Sequence, residues 1–242
     1  MSAKRSVRKP RYQEPTNVVN FDFQKKKRQV YVLPRNQNQE TYMIKLLDQT
    51  KDIVFGVGPA GTGKTLIAVQ IAVKLLKQGE INRIIITRPA VSVDEDLGFL
   101  PGTLEQKMAP WTKPIFDVIR DYFHSREIST MIDEGIIEIA PLAYMRGRTF
   151  KKSFILADEM QNATPNQMKM LLTRIGDDSK MVVTGDLEQA DRINDNGLVN
   201  FIRHIDHKNL TRIDVVRFTH TDIERHEAVK EVLNIYGDVN SI

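Results

Sequence analysis

The chain has 242 residues, 41% of them hydrophobic, and a formal net charge of +4. That length can bury a substantial core and fits one large domain better than two. The absence of cysteine excludes disulfides, cysteine-ligated zinc and cysteine nucleophiles, and no apolar run approaches the roughly 18 residues of a membrane span, so a soluble, cytoplasmic protein without a membrane partner is expected.

Residues 1–28 carry nine basic side chains (Lys4, Arg5, Arg8, Lys9, Arg11, Lys25, Lys26, Lys27 and Arg28) against only Glu14 and Asp22, which leaves the rest of the chain mildly acidic. No apolar signal-peptide core follows the basic start. With two prolines and no periodicity, this stretch is expected to be a disordered arm. Two readings of it stay open, an arm that neutralises nucleic-acid phosphates or a solubilising tail. Residues 29–242 are expected to form a single domain.

Ile53, Val54, Phe55 and Val57 form a short apolar run suited to a buried strand, and Leu66, Ile67, Val69, Ile71, Ala72, Leu75 and Leu76 recur at helical spacing. Between them lie Gly58, Pro59, Ala60, Gly61, Thr62, Gly63, Lys64 and Thr65. Glycine at 58, 61 and 63 permits positive φ and close backbone approach, so the loop can present a concave row of N–H groups beside the positive end of a helix. That arrangement predicts a polyphosphate cradle, with Lys64 reaching the β- and γ-phosphates and the Thr65 hydroxyl on Mg²⁺.

Gly79 reads as the stop of the first helix, and further apolar strands are predicted at Arg83–Thr87, 136–139, Ser153–Ala157, Lys180–Thr184 and Arg212–Phe218. Alternation of such strands with helices predicts an α/β fold, a largely parallel sheet with helices on both faces, whose ligands gather at the carboxyl ends of the strands. From Ser92 to about Pro114, a Pro-Gly turn and further prolines predict a long loop with a short helix. Thr164 and Pro165 are expected to cap and begin a helix burying Met168, Leu171, Leu172 and Ile175. A last helix from about Asp222 to Tyr236 is predicted to turn Ile223, Val229, Val232 and Leu233 inward. His204, His207, His220 and His226 lack acidic or cysteine partners at ligand spacing and suggest no metal site.

The strand ending at Ala157 runs into Asp158 and Glu159. Asp158 is placed to hold Mg²⁺ opposite Thr65, and a carboxylate directly after it can polarise water for in-line attack, which points to hydrolysis. Gln189, just beyond the next strand's Gly185-Asp186, is a candidate sensor of the γ-phosphate.

The phosphate loop, Thr87-Arg88-Pro89-Ala90-Val91, Tyr144-Met145-Arg146-Gly147-Arg148-Thr149, Asp158-Glu159-Met160-Gln161-Asn162 and Thr184-Gly185-Asp186 together resemble the PhoH-like proteins. These are phosphate-starvation-associated P-loop NTPases whose core is similar to the RecA-like motor domain of superfamily-1 helicases. The likeness covers roughly residues 31–236.

The resemblance implies that Asn36 and Gln39 bind the nucleotide, placed like the helicase element in which a glutamine contacts adenine. It also implies functional roles for Arg146, Arg148, Arg217 and Arg225, ATP with Mg²⁺ as ligands, a homo-oligomeric ring with a hexamer as candidate size, and single-stranded RNA as partner. A single motor-like domain lacks the second half of a helicase cleft. A neighbouring subunit would have to complete the site, and Arg217 and Arg225 are first candidates for the arginine it would supply. Two other functions remain open, a small-molecule kinase and an ATP-controlled binding module without turnover.

Overall fold

A computed structural model describes residues 29–89, 104–187, 196–206 and 208–236. The basic arm, Gln189 and the first part of the proline-rich stretch lie outside them. In chain order the elements are α1 (Gln37–Leu47), β1 (Ile53–Val57), α2 (Lys64–Gln78), β2 (Arg83–Thr87), α3 (Leu104–Arg120), α4 (Ser125–Asp133), β3 (Ile137–Ile139), β4 (Ser153–Ala157), α5 (Pro165–Leu172), β5 (Lys180–Gly185), α6 (Gly197–Ile205), β6 (Ile213–Arg217) and α7 (Glu227–Tyr236).

The six strands form one sheet in the order β3-β2-β4-β5-β1-β6, and every neighbouring pair is parallel. Strand side chains alternate between two cores, as a pleated sheet buried on both faces requires. Val54, Ile84, Ile86, Phe154, Leu156 and Val182 pack with α1, α2 and α3 on one face. Phe55, Val57, Ile85, Ile155, Met181 and Val183 pack with α5 and α6 on the other. The expected α/β class, with helices on both faces, is therefore observed. Among the described residues no helix is long and apolar enough to cross a membrane.

Local signals place the helix ends. Gly79 caps α2 in the left-handed conformation at φ 73°, where its N–H reaches the last carbonyls. Thr164 and Gln167 form a capping box in front of Pro165, so α5 begins where its sequence predicts. Met168 and Leu171 are buried, with Leu172 and Ile175 packed at the edge of the same core.

Two expectations are corrected. The stretch up to Pro114 is not all loop with a short helix, because a 17-residue helix, α3, runs through both Pro110 and Pro114. Each internal proline costs a helix about 3 kcal/mol, but Ile115, Phe116 and Ile119 of this helix are buried against α2. Burial of such side chains, at about 1.5–3 kcal/mol each, offsets that cost.

The last helix does not start at Asp222. The carboxylate of Asp222 accepts from Asn38 Nδ2 at 2.8 Å and from the Thr219 N–H at 2.8 Å, the latter closing a capping box at the head of a short 3₁₀ turn over His220–Asp222. Residues 223–226 belong to no helix or strand, and α7 follows with Val229 and Val232 exposed instead of inward.

Candidate active site

Parallel pairing brings the carboxyl ends of all six strands to one edge, and β1 sits between β5 and β6. The phosphate loop leaves that edge at Gly58 and turns into α2 through Gly58, Gly61 and Gly63, at φ 141°, 83° and 81°. Gly58 has a second constraint, since a Cβ there would lie 2.3 Å from the Phe218 carbonyl oxygen. Phe218 N–H donates to Val57 O at 2.7 Å, so the chain after β6 is zipped against the loop's first residue.

Lys64 is buried at the centre of the loop. Its ammonium donates to Gly58 O at 2.7 Å, Pro59 O at 2.6 Å and Thr62 Oγ1 at 3.2 Å. Burial holds its pKa below the ordinary lysine value, against the opposing pull of Asp186, Glu159 and Asp158. Those three acids and Thr184 line one wall of a small cavity, and Ala60, Lys64 and Thr65 line the other.

Asp158, just past β4, is buried and accepts from two hydroxyls on the same oxygen, Thr65 Oγ1 at 2.7 Å and Thr184 Oγ1 at 2.5 Å. Thr184 lies on β5, which pairs with both the phosphate-loop strand and the acid strand. Thr65 and Asp158 thus meet, as two oxygens that can share a hard divalent cation must. Among the described residues no group of three or more His, Cys, Asp or Glu could hold a metal.

Glu159 takes the left-handed conformation at φ 55°, ψ 41°, a strained state for a side chain of this size. The turn redirects the chain immediately after Asp158. Gln161, nearly fully buried, donates from Nε2 to Glu159 Oε2 at 2.5 Å and accepts at Oε1 from the Asp186 N–H at 3.2 Å. It therefore ties the Glu159 carboxylate to the end of β5. Neither Gln161 nor Thr184 follows from motif spacing as a site residue. The available signal is a polar side chain at the end of an apolar strand, for Thr184, and one two positions after the acid pair, for Gln161.

The remaining candidates divide. Asn36 caps α1, accepting from the Gln39 N–H at 2.9 Å, and donates to Asp222 O at 3.2 Å. Buried Gln39 donates to Thr62 O at 3.1 Å and accepts from the Arg35 N–H at 2.8 Å, so of the two predicted nucleotide-binding residues Gln39 braces the phosphate loop and Asn36 the turn after β6. Nearby, burial first and the Asp158 charge second push the Tyr42 phenol well above its ordinary range.

Arg217 ends β6 opposite Val57, with its side chain exposed and paired to Asp206 at 2.5 Å. Arg148 makes a two-point ion pair with Glu138 and lies over the Phe150 ring, whereas Arg146 is exposed. Arg225, half-buried, stands against Gly61 of its own phosphate loop. Gln189 lies outside the described residues.

The model of the family described as PhoH-like protein matches residues 31–237. The chain is 46% identical over 191 residues to the PhoH-like protein of Bacillus subtilis (strain 168), covering 78% of this chain and 59% of the relative. It is 37% identical over 210 residues to Protein PhoH of Escherichia coli (strain K12), covering 85% of this chain and 58% of that protein. The chain thus spans somewhat under two thirds of the length of the relatives it matches. Among solved structures it is similar to the HK97 bacteriophage large terminase, with a TM-score of 0.47 and 11% identity over 86% of this chain and 44% of that one.

Proposed function

Because the chain belongs to the PhoH-like family and is a P-loop NTPase, we propose that it hydrolyses ATP with Mg²⁺, as an oligomer that acts on single-stranded RNA. The observation that carries hydrolysis is the Glu159 carboxylate, held by Gln161 in the cavity that also contains Lys64, Thr65 and Asp158. The loop amides and Lys64 bind the triphosphate and orient its terminal phosphate toward that wall. Glu159 accepts a proton from the attacking water as it approaches in line. Thr65 and Asp158 would hold the ion, which would supply positive charge against the phosphates.

Three observations support the polymer and assembly parts of this reading. The basic side chains of residues 1–28 supply phosphate-neutralising charge. Tyr144 and Arg146 are exposed together beyond β3, a pair suited to stacking on a base. The outward Arg217, paired with Asp206 at the surface, could exchange that partner for a neighbouring copy's nucleotide.

Phosphate release should be measured with and without single-stranded RNA and with candidate acceptors, for the wild type and Glu159→Gln. Release without any acceptor, stimulated by RNA, is expected for the wild type. Glu159→Gln should lower turnover about 10²–10⁴-fold while retaining ATP binding. Release that requires an acceptor would favour a kinase. Nucleotide binding without release would leave an ATP-controlled binding module.

A further inference from the structure

After the 3₁₀ turn at His220–Asp222, the chain passes directly over the phosphate loop. The Glu224 N–H donates to Gly61 O at 3.1 Å. A Cβ on Gly61 would stand 3.4 Å from Ile223 Cγ2, 3.2 Å from Arg225 Nε and 3.8 Å from Arg225 Nη2. The guanidinium therefore reaches the turn of the loop itself, at a residue whose φ of +83° only glycine adopts readily.

This placement is imposed by the fold. Asp222 is buried and pinned through its carboxylate to Thr219 and Asn38, and through its carbonyl to Asn36. Phe218 is bonded to Val57, and Gly58 has no room for a side chain beside the Phe218 carbonyl. The connector from 218 to 225 is thus fixed at both its start and its middle. Arg225 arrives at the loop as a consequence.

Among the described residues, Arg225 makes no hydrogen bond or ion pair. An arginine guanidinium carries five donors and is always charged. The loop it stands against presents backbone N–H groups, the N-terminus of α2 and the Lys64 ammonium, while the acids that face Lys64 lie across the cavity from it. A further cation beside those donors gains nothing from them. An anion bound to the loop compensates every one of them.

The position along that anion follows from the cavity. The wall facing Glu159 includes Ala60, Lys64 and Thr65, and neither Gly61 nor Arg225 borders it. Arg225 thus lies outside the cavity that holds Glu159.

We infer that Arg225 binds the nucleotide of its own subunit, its guanidinium donating to the phosphates distant from the hydrolysed bond, common to ADP and ATP. This inference deepens the ATPase reading and rests on it. It assigns Arg225 to ground-state binding within one chain, not to transition-state stabilisation across an interface. A contact kept equally in substrate and transition state raises KM when lost and leaves kcat alone.

The test measures Kd for MgADP and MgATP, together with kcat and KM for phosphate release, in the wild type, Arg225→Ala and Arg225→Lys. Arg225→Ala should bind both nucleotides roughly tenfold to hundredfold more weakly, the size of a lost charge-assisted hydrogen bond, with kcat at saturating ATP within about threefold of the wild type. Arg225→Lys keeps the charge without the fork and should fall between. Unfolding midpoints without nucleotide check that the fold is kept, and Arg225→Lys carries the test if Arg225→Ala does not fold.

Mixing Arg225→Ala with Lys64→Ala decides between one chain and two. A neighbour's arginine would restore turnover in the mixture, and that result would overturn the inference. Unchanged affinity for both nucleotides would overturn it too, as would a fall in kcat with ADP affinity intact. A wild type that binds nucleotide without releasing phosphate counts against the ATPase reading, and the affinities still judge Arg225.

Discussion

Two lysines at opposite edges of the sheet show what separates a working site from a supporting one. Lys64, at the carboxyl edge, and Lys180, which opens β5 at the other edge, both donate to backbone carbonyls, and burial lowers the pKa of each. Lys180 donates to Asp48 O at 2.7 Å and so ties β5 to the end of α1. Lys64 lies in a loop of positive-φ glycines and faces three acids across a cavity. A desolvated ammonium does not by itself mark chemistry. The anion-binding backbone around it and the carboxylates opposite do.

The largest effect that would sharpen this contrast is on nucleotide binding. Lys64→Ala should weaken MgATP binding about a hundredfold and remove phosphate release, whereas Lys180→Ala should keep kcat within about twofold and lower only the unfolding midpoint. Equal losses in the two variants would break the distinction between the edges. Titration with a fluorescent nucleotide and a phosphate assay measure both sides.

A smaller effect is expected within the carboxyl edge. Gln161→Leu releases the Glu159 carboxylate and leaves the Asp186 N–H without its acceptor. Turnover should fall roughly tenfold, with ATP affinity nearly unchanged, and stability should drop by about 1–3 kcal/mol. Steady-state kinetics beside chemical denaturation would show this, and an unchanged kcat would remove Gln161 from the orienting role.

The smallest effect belongs to the supporting edge. The Lys180 pKa is lowered from 10.5 to about 8 in the folded protein. Between those values the unfolded chain binds more protons than the folded one, so this group makes stability rise as pH increases from about 8 toward 10.5. The slope is at most about 1.4 kcal/mol per pH unit, less for a group only partly shielded from solvent. Lys180→Met should flatten that rise in denaturation curves taken across the interval. A rise that persists undiminished would assign it to other groups.

Features set by short stretches of chain were legible in the sequence. The phosphate loop, the acid pair and the caps at Gly79 and Thr164 depend on residues a few positions apart, and the strands appear where β-branched runs predict them. Helix α3 was hidden because its prolines signal a break locally, while the burial that outweighs them comes from α2. The start of α7 was hidden by Asp222, whose partner Asn38 is 184 residues away in the chain.

In the site the same division holds. Thr65 and Asp158 could be paired from motif alone, but Thr184 and Gln161 acquire their partners only when β5 settles beside β4. Arg225 reaches Gly61 only because β6 lies next to β1.

Asp222 has a consequence for dissecting the molecule. It clasps the segment before α1 to the segment after β6, and both press on the same eight-residue loop. Trimming the polypeptide back past Asn36 or forward past Asp222 would unlatch that loop from outside while leaving all six strands intact. Grip on nucleotide and resistance to unfolding would then part company, which makes the pocket a property of both flanks and not of a transplantable motif.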